Sequence, residues 1–249
     1  ISVDIILPNY NSSIYIEETL NSIVGQSFKN WKLLIVDDNS NDETKNVIKR
    51  YDLNKKIKTI WLKKNKGAGF CRNLAMRNTK SEYIAFIDSD DIWEKEKLSK
   101  QLDFMVKNKY HFTYTNYLPF KSDKKQNNLK EIKPEKYFTF EKFMKDTSIA
   151  TSTMIIKKSS IENVKFGNTK ICEDYFFKCQ ILKKVNFAYC LSENLMKYRI
   201  RKNSLQSNKI RNLYWIWYIN KNFNKLNFFN NLISLLYISF NSLKKYGFK

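Results

Sequence analysis

Apolar and polar residues alternate over the first hundred positions in a pattern typical of strands followed by helices. Four short apolar runs have the length expected of buried strands, at 3–7, 33–36, 57–62 and 83–87. Apolar residues at helical spacing predict a helix after each of the first three runs, at about 16–24, 42–51 and 68–78. This alternation predicts an α/β fold with a mostly parallel sheet and helices on both of its faces.

The pattern is less regular after residue 92. It predicts helices at about 94–106 and 174–182, strands at 111–117 and 153–156, and a charged loop at 121–136. Beyond about Ser207, the apolar and aromatic residues predict two amphipathic helices. Their apolar stretch is interrupted by Lys221 and Lys225, so it falls short of the ~18 unbroken apolar residues of a membrane-spanning helix. We therefore expect this part to lie on a membrane at most.

The composition indicates a globular protein. Apolar residues make up 43% of the chain and aromatic residues 15%, which is too much for a disordered polyelectrolyte. The four cysteines form no C-x-x-C pair, and the chain has one histidine, so neither a zinc site nor a disulfide framework is indicated. No basic segment precedes the first apolar run, so a signal peptide is not expected. A reducing cytoplasm is therefore the expected location.

The net charge is strongly positive and unevenly distributed. There are 45 Lys and Arg against 24 Asp and Glu, which gives +21, and eleven of these cations but no acid follow Glu193. A basic nucleic-acid-binding protein would carry such a charge, and so would a non-catalytic adaptor held on a lipid surface. Because the acids cluster in the rest of the chain, we expect the tail to meet an anionic membrane surface and expect no nucleic acid.

Three acidic clusters follow predicted strands or begin a predicted helix. They are Asp37-Asp38 with Asp42, Asp88-Ser89-Asp90-Asp91, and Glu173-Asp174. Parallel strands end at the same sheet edge, so the first two clusters should meet and need a cation or hydrogen-bond donors to offset their repulsion. Asp88 and Asp90 can share one divalent ion, and oxygen ligands favour Mg²⁺ or Mn²⁺. Such an ion usually completes its shell with phosphate oxygens, which indicates a nucleotide substrate.

Simpler structural roles compete with these assignments. Asp42, Asp91 and Asp174 each stand where a helix N-cap is expected. The alternative for Arg72 is that it is a solvent-exposed residue on the polar face of a helix.

The segment Asn65–Asn73 offers a further alternative, a dinucleotide-binding fingerprint. It follows a predicted strand, opens a helix and precedes Asp88 by about twenty positions. The third glycine position holds Arg72, whose bulk opposes close packing of helix and strand. An NAD(P)-type dinucleotide-binding oxidoreductase is therefore the weaker hypothesis.

Five motifs together resemble the family 2 glycosyltransferases with the GT-A fold. In order they are PNYN at 8–11, VDDNSND at 36–42, N-x-G-x-G-x-x-R-N at 65–73, DSDD at 88–91 and ED at 173–174. The resemblance covers roughly residues 1–205 and includes YRIRKNSLQS at 198–207, which is similar to a basic segment that closes the site in many members. This segment lacks the histidine that the family pattern often has.

The resemblance implies a role for each matching residue. Nucleotide contacts would come from Pro8, Tyr10, Asp37, Asp38, Gly67, Arg72, Asp88 and Ser89. Asp90, with Asp88, would hold Mn²⁺ or Mg²⁺, and Asp174 would be the catalytic base, supported by Glu173. The diphosphate would be closed off by Arg199, Arg201 and Lys202.

The resemblance also implies the reaction and its setting. The chain is expected to be an inverting hexosyltransferase or N-acetylhexosaminyltransferase that uses a nucleotide-diphosphate sugar, with a UDP-sugar as first candidate. Residues 1–100 would bind this donor, 101–207 the acceptor, and 208–249 would form a basic aromatic helical tail. The acceptor is expected to be a glycan or a lipid-linked glycan in cell-surface polysaccharide or lipopolysaccharide assembly. The enzyme would associate peripherally with the inner face of the cell membrane.

Overall fold

The computed structural model describes residues 1–51, 53–122, 129–169, 171–201 and 208–246. The strands are β1 Val3–Asn9, β2 Trp31–Asp37, β3 Ile57–Trp61, β4 Tyr83–Phe86, β5 Ile92–Trp93, β6 Phe112–Phe120, β7 Tyr137–Phe138, β8 Ile155–Lys157 and β9 Ala188–Arg199. The helices are α1 Ile16–Val24, α2 Thr44–Lys49, α3 Ala68–Arg77, α4 Lys97–Asn108, α5 Phe140–Phe143, α6 Glu173–Val185, α7 Lys209–Asn222 and α8 Phe228–Tyr246. A single sheet holds all nine strands.

The N-terminal half of the sheet is parallel, as the alternating pattern predicts. Its order is β3-β2-β1-β4, with Asn9 opposite Asp37 and Ile6 opposite Phe86. The strands β1, β2 and β4 therefore end at one edge, and the two acidic clusters that follow β2 and β4 emerge there.

The other half of the sheet is mixed and continues β8-β6-β9-β5. Its longest strand, β9, runs parallel to β6 and antiparallel to β5 and β7. The sequence pattern does not predict β9, because register shifts in its pairing with β6 at Thr115–Leu118 break the regular alternation of buried and exposed side chains.

Apolar cores lie on both faces of the sheet, as the sequence predicts. Alternate residues of β1 point to opposite faces, so Ile6 packs with α3 and α6 while Ile5 and Leu7 pack with α1 and α4. Within the predicted tail, Ile216, Ile219 and Ile238 join the first of these cores. Helices α7 and α8 are therefore attached to the body of the protein.

Candidate active site

The first acidic cluster begins where β2 ends. Asp37 is buried, and its carboxylate accepts hydrogen bonds from Asn9 Nδ2 at 2.7 Å, from the Ser40 backbone N–H at 2.9 Å and from Ser40 Oγ at 2.6 Å. These contacts fix the loops that follow β1 and β2. Asp42 accepts from the Ser13 N–H at 3.0 Å and the Thr44 N–H at 3.1 Å, so its carboxylate holds the loop before α2. The N-cap residue of α2 is Glu43, so Asp42 is not the helix cap that the sequence suggested.

Asp38 anchors the loop that leads into α3. Its two carboxylate oxygens each lie 2.7 Å from a backbone nitrogen, one of Lys66 and one of Gly67, and accept their hydrogen bonds. Gly67 has φ +88°, a left-handed conformation that suits glycine. The carboxylate of Asp38 thus holds the backbone of this glycine-containing segment in place.

The same segment packs closely against α6, which argues against the dinucleotide-binding alternative. A Cβ on Gly69 would lie 2.9 Å from Cγ of Glu173 and 3.0 Å from the Gly167 carbonyl oxygen. The close approach that a dinucleotide fingerprint reserves for a pyrophosphate is here filled by protein atoms.

Arg72 joins two of the three acidic clusters. Its Nη2 lies 2.6 Å from Asp88 Oδ1, its Nη1 lies 2.9 Å from Glu173 Oε1, and the guanidinium stacks 5.2 Å from the Phe166 ring centre. The side chain is buried, so the alternative of a solvated helix face is wrong. The two carboxylates raise the pKa of Arg72 despite its burial, and the arginine stays charged.

Asp90 is the second acid of the D-x-D loop, Asp88–Asp90, and its pKa is perturbed. Burial raises its pKa to about 6, with repulsion from Asp88 adding to the effect and Arg201 opposing it. Arg201 is partly exposed, and its Nε lies 2.7 Å from Asp90 Oδ2. Because burial disfavours the ionised form of Asp90, a cation beside its carboxylate stabilises that form.

Asp91 and Ser152 form a buried brace beneath this loop. Ser152 Oγ donates to Asp91 Oδ2 at 2.5 Å and accepts from the Asp88 backbone N–H at 2.9 Å. Asp91 Oδ1 also accepts from the Arg199 N–H at 3.0 Å. Asp91 is therefore not a helix cap, since α4 begins only at Lys97.

Arg199 differs from its expected role at the diphosphate. Its guanidinium is buried and donates to the Asp90 carbonyl oxygen at 2.8 Å, to Ser122 Oγ at 2.7 Å and to the Glu18 carboxylate. These contacts make Arg199 a support of the D-x-D loop. Lys202, the third residue expected at the diphosphate, lies outside the described residues.

The third cluster begins α6. Burial raises the pKa of Asp174, but Lys178 Nζ at 2.8 Å from Oδ2 and the more distant Arg72 outweigh it, so that the pKa falls to about 2. Thr151 Oγ1 also donates to Oδ2 at 3.2 Å. Neighbouring Glu173 has a raised pKa, chiefly because it is buried. The pair thus consists of a firmly ionised aspartate and a more basic glutamate.

The other residues expected at the nucleotide lie on the same edge of the sheet. Pro8 is buried in β1 opposite Val36, and Tyr10 is half-exposed just beyond the strand. Ser89 lies between the two D-x-D acids and is nearly buried.

The donor set of the D-x-D loop fits a hard divalent cation. Its oxygens come from the carboxylates of Asp88 and Asp90, which are the hard ligands that such an ion prefers. Among the described residues, no group of three or more His, Cys, Asp or Glu could hold a metal by itself. An ion bound here would complete its shell with oxygens of water or of a substrate.

Sequence reasoning missed the residues that hold the acids in place. Thr151 and Ser152 belong to a short 3-10 turn, Thr151–Thr153, and Lys178 is a buried lysine on α6. The spacing of Asp174 and Lys178, four positions apart on a helix, was an available signal for their ion pair. Nothing in the local sequence marks the turn.

Comparison of the sequence with known proteins gives extensive matches. The family described as glycosyl transferase family 2 matches residues 4–165. A Bacillus subtilis (strain 168) protein provisionally named as the teichuronic acid biosynthesis glycosyltransferase TuaG is 32% identical, over 98% of this chain and 96% of the relative. The Escherichia coli UDP-Glc:alpha-D-GlcNAc-diphosphoundecaprenol beta-1,3-glucosyltransferase WfgD is 33% identical, over 86% of this chain and 83% of the relative.

A solved structure shares the fold at lower identity. The crystal structure of S. aureus TarS 1-349 in complex with UDP-GlcNAc superposes with a TM-score of 0.76 at 22% identity, over 98% of this chain and 73% of that one. This likeness identifies the sheet and its helices as a GT-A architecture.

Proposed function

The chain belongs to glycosyltransferase family 2, and from that premise we propose that it transfers a sugar, with inversion, from a UDP-sugar to a hydroxyl group of a lipid-linked glycan. The observation that carries the proposal is the arginine bridge at Arg72. Through this bridge a D-x-D loop and a Glu-Asp pair, 83 or more positions apart in sequence, become one site. One end of that site suits a diphosphate and the other suits an acceptor hydroxyl.

Asp174 is assigned as the base. Inversion requires a group that takes the proton of the attacking hydroxyl on the face opposite the leaving group. The low pKa of Asp174 keeps it ionised at neutral pH, and the hydroxyl becomes strongly acidic as its oxygen bonds to the sugar, so a weak base suffices. Thr151 and Lys178 both donate to its Oδ2 and hold the carboxylate in place.

The leaving diphosphate is assigned to the D-x-D end of the site. A divalent ion, Mn²⁺ or Mg²⁺, bound by Asp90 and Asp88 would offset the charge that develops on the diphosphate. Arg201 pairs with Asp90 and is partly exposed, so it can turn toward a phosphate when the ion binds. Lys202 is proposed to assist it. One catalytic carboxylate is enough here, unlike in glycoside hydrolases.

Tyr10, Pro8 and the loops after β1 and β2 are proposed to hold the nucleoside. Tyr10 offers an exposed ring at the sheet edge on which a base can stack. Asp37 then acts by fixing the loops after β1 and β2, because its carboxylate accepts hydrogen bonds from Asn9 and Ser40. Asp38 acts by fixing the loop between β3 and α3, because its carboxylate accepts the hydrogen bonds of two backbone N–H groups there.

The acceptor is proposed by analogy with the relatives. WfgD is named for an acceptor that joins GlcNAc to diphosphoundecaprenol, and TuaG for teichuronic acid, both products of bacterial surface assembly. A lipid-carried acceptor would place the enzyme at the inner face of the cell membrane.

Donor binding is tested by thermal stabilisation. The protein is scanned with UDP-glucose, UDP-N-acetylglucosamine and GDP-mannose, each with Mn²⁺, Mg²⁺ or EDTA. We expect a UDP-sugar to raise Tm in the presence of metal and EDTA to abolish the shift. No stabilisation by any nucleotide sugar, with or without metal, would refute the proposal.

The base is tested by Asp174→Asn. Loss of the carboxylate should lower kcat by about a hundredfold or more, while metal-dependent UDP binding stays within a few-fold of wild type. The matched control is Asp103→Asn, which neutralises an exposed acid on α4. Equal transfer by the Asp174 variant and the control would exclude Asp174 as the base.

A further inference from the structure

Helix α8 packs on the protein with its polar side. Asn231 and Ser234 are 1% and 2% exposed. Asn231 Nδ2 donates to the Trp217 carbonyl oxygen at 3.1 Å, and Ser234 Oγ donates to the Met144 carbonyl oxygen at 2.6 Å. Further along, Asn241 Nδ2 donates to the Lys145 carbonyl oxygen at 2.9 Å. These positions recur at helical spacing, so they form one stripe that faces the body.

The buried end of this polar stripe belongs to a continuous hydrogen-bond network. Asn220 on α7 donates to Asn231 Oδ1 at 3.1 Å and accepts from the Tyr175 hydroxyl at 2.7 Å. At the other end of the helix, Lys245 pairs with Asp146. Because each group is paired with a specific partner, the orientation of α8 is fixed by polar contacts, to which Leu235 and Ile238 add apolar contacts.

The opposite side of α8 is apolar and faces outward. Phe229, Leu236 and Phe240 are 74%, 62% and 65% exposed. These residues stand at positions i, i+7 and i+11 of one helical stripe, and Ile233 at i+4 completes it. We call these four side chains the outer stripe.

This orientation is the reverse of that of an ordinary surface helix, whose apolar stripe faces the core. Turning the helix over would bury the outer stripe, yet the hydrogen bonds of Asn231 and Ser234 hold it outward. A contiguous apolar surface of this kind marks a binding site on a protein.

The positive charge around the outer stripe indicates what binds to it. Exposed Lys225 precedes the helix and exposed Lys244, four positions after Phe240, continues the stripe, while no acid occurs beyond Glu193. An anionic lipid surface complements both the apolar and the cationic groups. A second copy of the chain would instead bring two cationic tails together, which like-charge repulsion disfavours.

We propose that the outer stripe of α8 is a docking surface for the interface of an anionic bilayer. The helix would lie in the plane of the membrane, since no described helix is long and apolar enough to cross one. This inference rests on the proposed function in one respect, that the acceptor is carried by a lipid. Docking would then bring the active site to the surface where that acceptor is held.

The test is flotation with vesicles of phosphatidylethanolamine and phosphatidylglycerol, compared with vesicles of phosphatidylcholine. We expect binding to the anionic vesicles alone at low salt. The variant Leu236→Gln/Phe240→Gln should weaken that binding by about a hundredfold, because two large apolar side chains no longer enter the interface. Both positions are exposed, so the fold should be retained, which circular dichroism and Tm verify.

The matched control is Leu53→Gln/Val106→Gln, which removes two exposed apolar side chains far from the tail in sequence. The control should bind vesicles as wild type does. Equal binding by both double variants, or no binding of wild-type protein to anionic vesicles, would overturn the proposal. If the α8 variant instead abolishes a concentration-dependent dimer of the wild type, the stripe is covered by a second copy and the proposal also fails.

Hydrolysis of the donor sugar separates this result from the proposed function. Both double variants should hydrolyse the UDP-sugar at the wild-type rate, because α8 contributes no residue to the active site. Normal hydrolysis without vesicle binding would reject the docking surface alone. Vesicle binding without donor stabilisation or hydrolysis would reject the proposed function alone.

Discussion

Replacing Asp90 by asparagine should make the metal-free protein more stable while it removes activity. The ordinary pKa of an aspartate is 3.8, and Asp90 has a pKa of about 6, chiefly because it is buried. A carboxyl whose folded pKa is raised binds its proton more tightly in the folded state. At low pH the carboxyl is protonated in both states and does not lower the free energy of unfolding. As pH rises from the pKa of the unfolded state to that of the folded state, the carboxyl lowers this free energy increasingly.

The size of this cost follows from the shift. One pKa unit corresponds to about 1.4 kcal/mol, so near pH 7 the ionised carboxylate costs about 3 kcal/mol of unfolding free energy. Near pH 5 about half of the cost is left, and near pH 4 it is under about 1 kcal/mol. The side chain of Asp90 is 12% exposed, so solvent screens the charge little, and the attraction of Arg201 is already included in the pKa.

The assay is urea unfolding of Asp90→Asn in EDTA at these three pH values. We expect the variant to gain about 1–3 kcal/mol near pH 7, a gain that shrinks steadily with acidification, and to lose its metal-dependent stabilisation by UDP. The control Asp103→Asn changes an exposed acid and should show neither effect. A variant less stable than wild type near pH 7, or a gain independent of pH, would refute the reasoning.

Two further substitutions test the supports of the site. Arg72→Met leaves two partly buried carboxylates without a counter-charge and should lower the unfolding free energy by about 3–5 kcal/mol. Arg77→Met on the exposed side of the same helix should cost little, and equal urea midpoints of the two variants would show that Arg72 does not bridge the carboxylates. Ser152→Ala removes the hydroxyl that holds the backbone of Asp88 and should cost about 1–2 kcal/mol and lower kcat for sugar transfer. Ser159→Ala is its exposed counterpart, and the same kcat in both serine variants would show that the brace does not position the loop.

The parallel half of the fold can be inferred from the amino-acid sequence alone. Apolar periodicity is a local property, so the succession of strands and helices up to β4 could be read without tertiary information. Since parallel strands end at one edge, the meeting of the clusters after β2 and β4 followed from chain order alone. The later strands could not be read in this way, because β9 is held by a bulged pairing that blurs its pattern.

Within the site, the acids can be identified from the sequence, but their partners and pKa values depend on the packing of distant parts of the chain. In the sequence, Arg72 fits a solvent-exposed helix face as well as it fits an active site. Only the packing of α3 against α6 buries it between two carboxylates. Arg199 similarly resembles a free cation in sequence, yet the fold places it under the D-x-D loop. A pKa depends on the dielectric and the charges within a few ångströms, which chain-distant residues provide.

Helix α8 shows the same division most clearly. Its sequence determines that one helical stripe is polar and the other apolar, because spacing alone fixes which residues share a face. Which stripe meets the body depends on the partners the body offers. Here the carbonyl oxygens of Met144 and Trp217 and the amide of Asn220 select the polar stripe, and the apolar stripe is left outside.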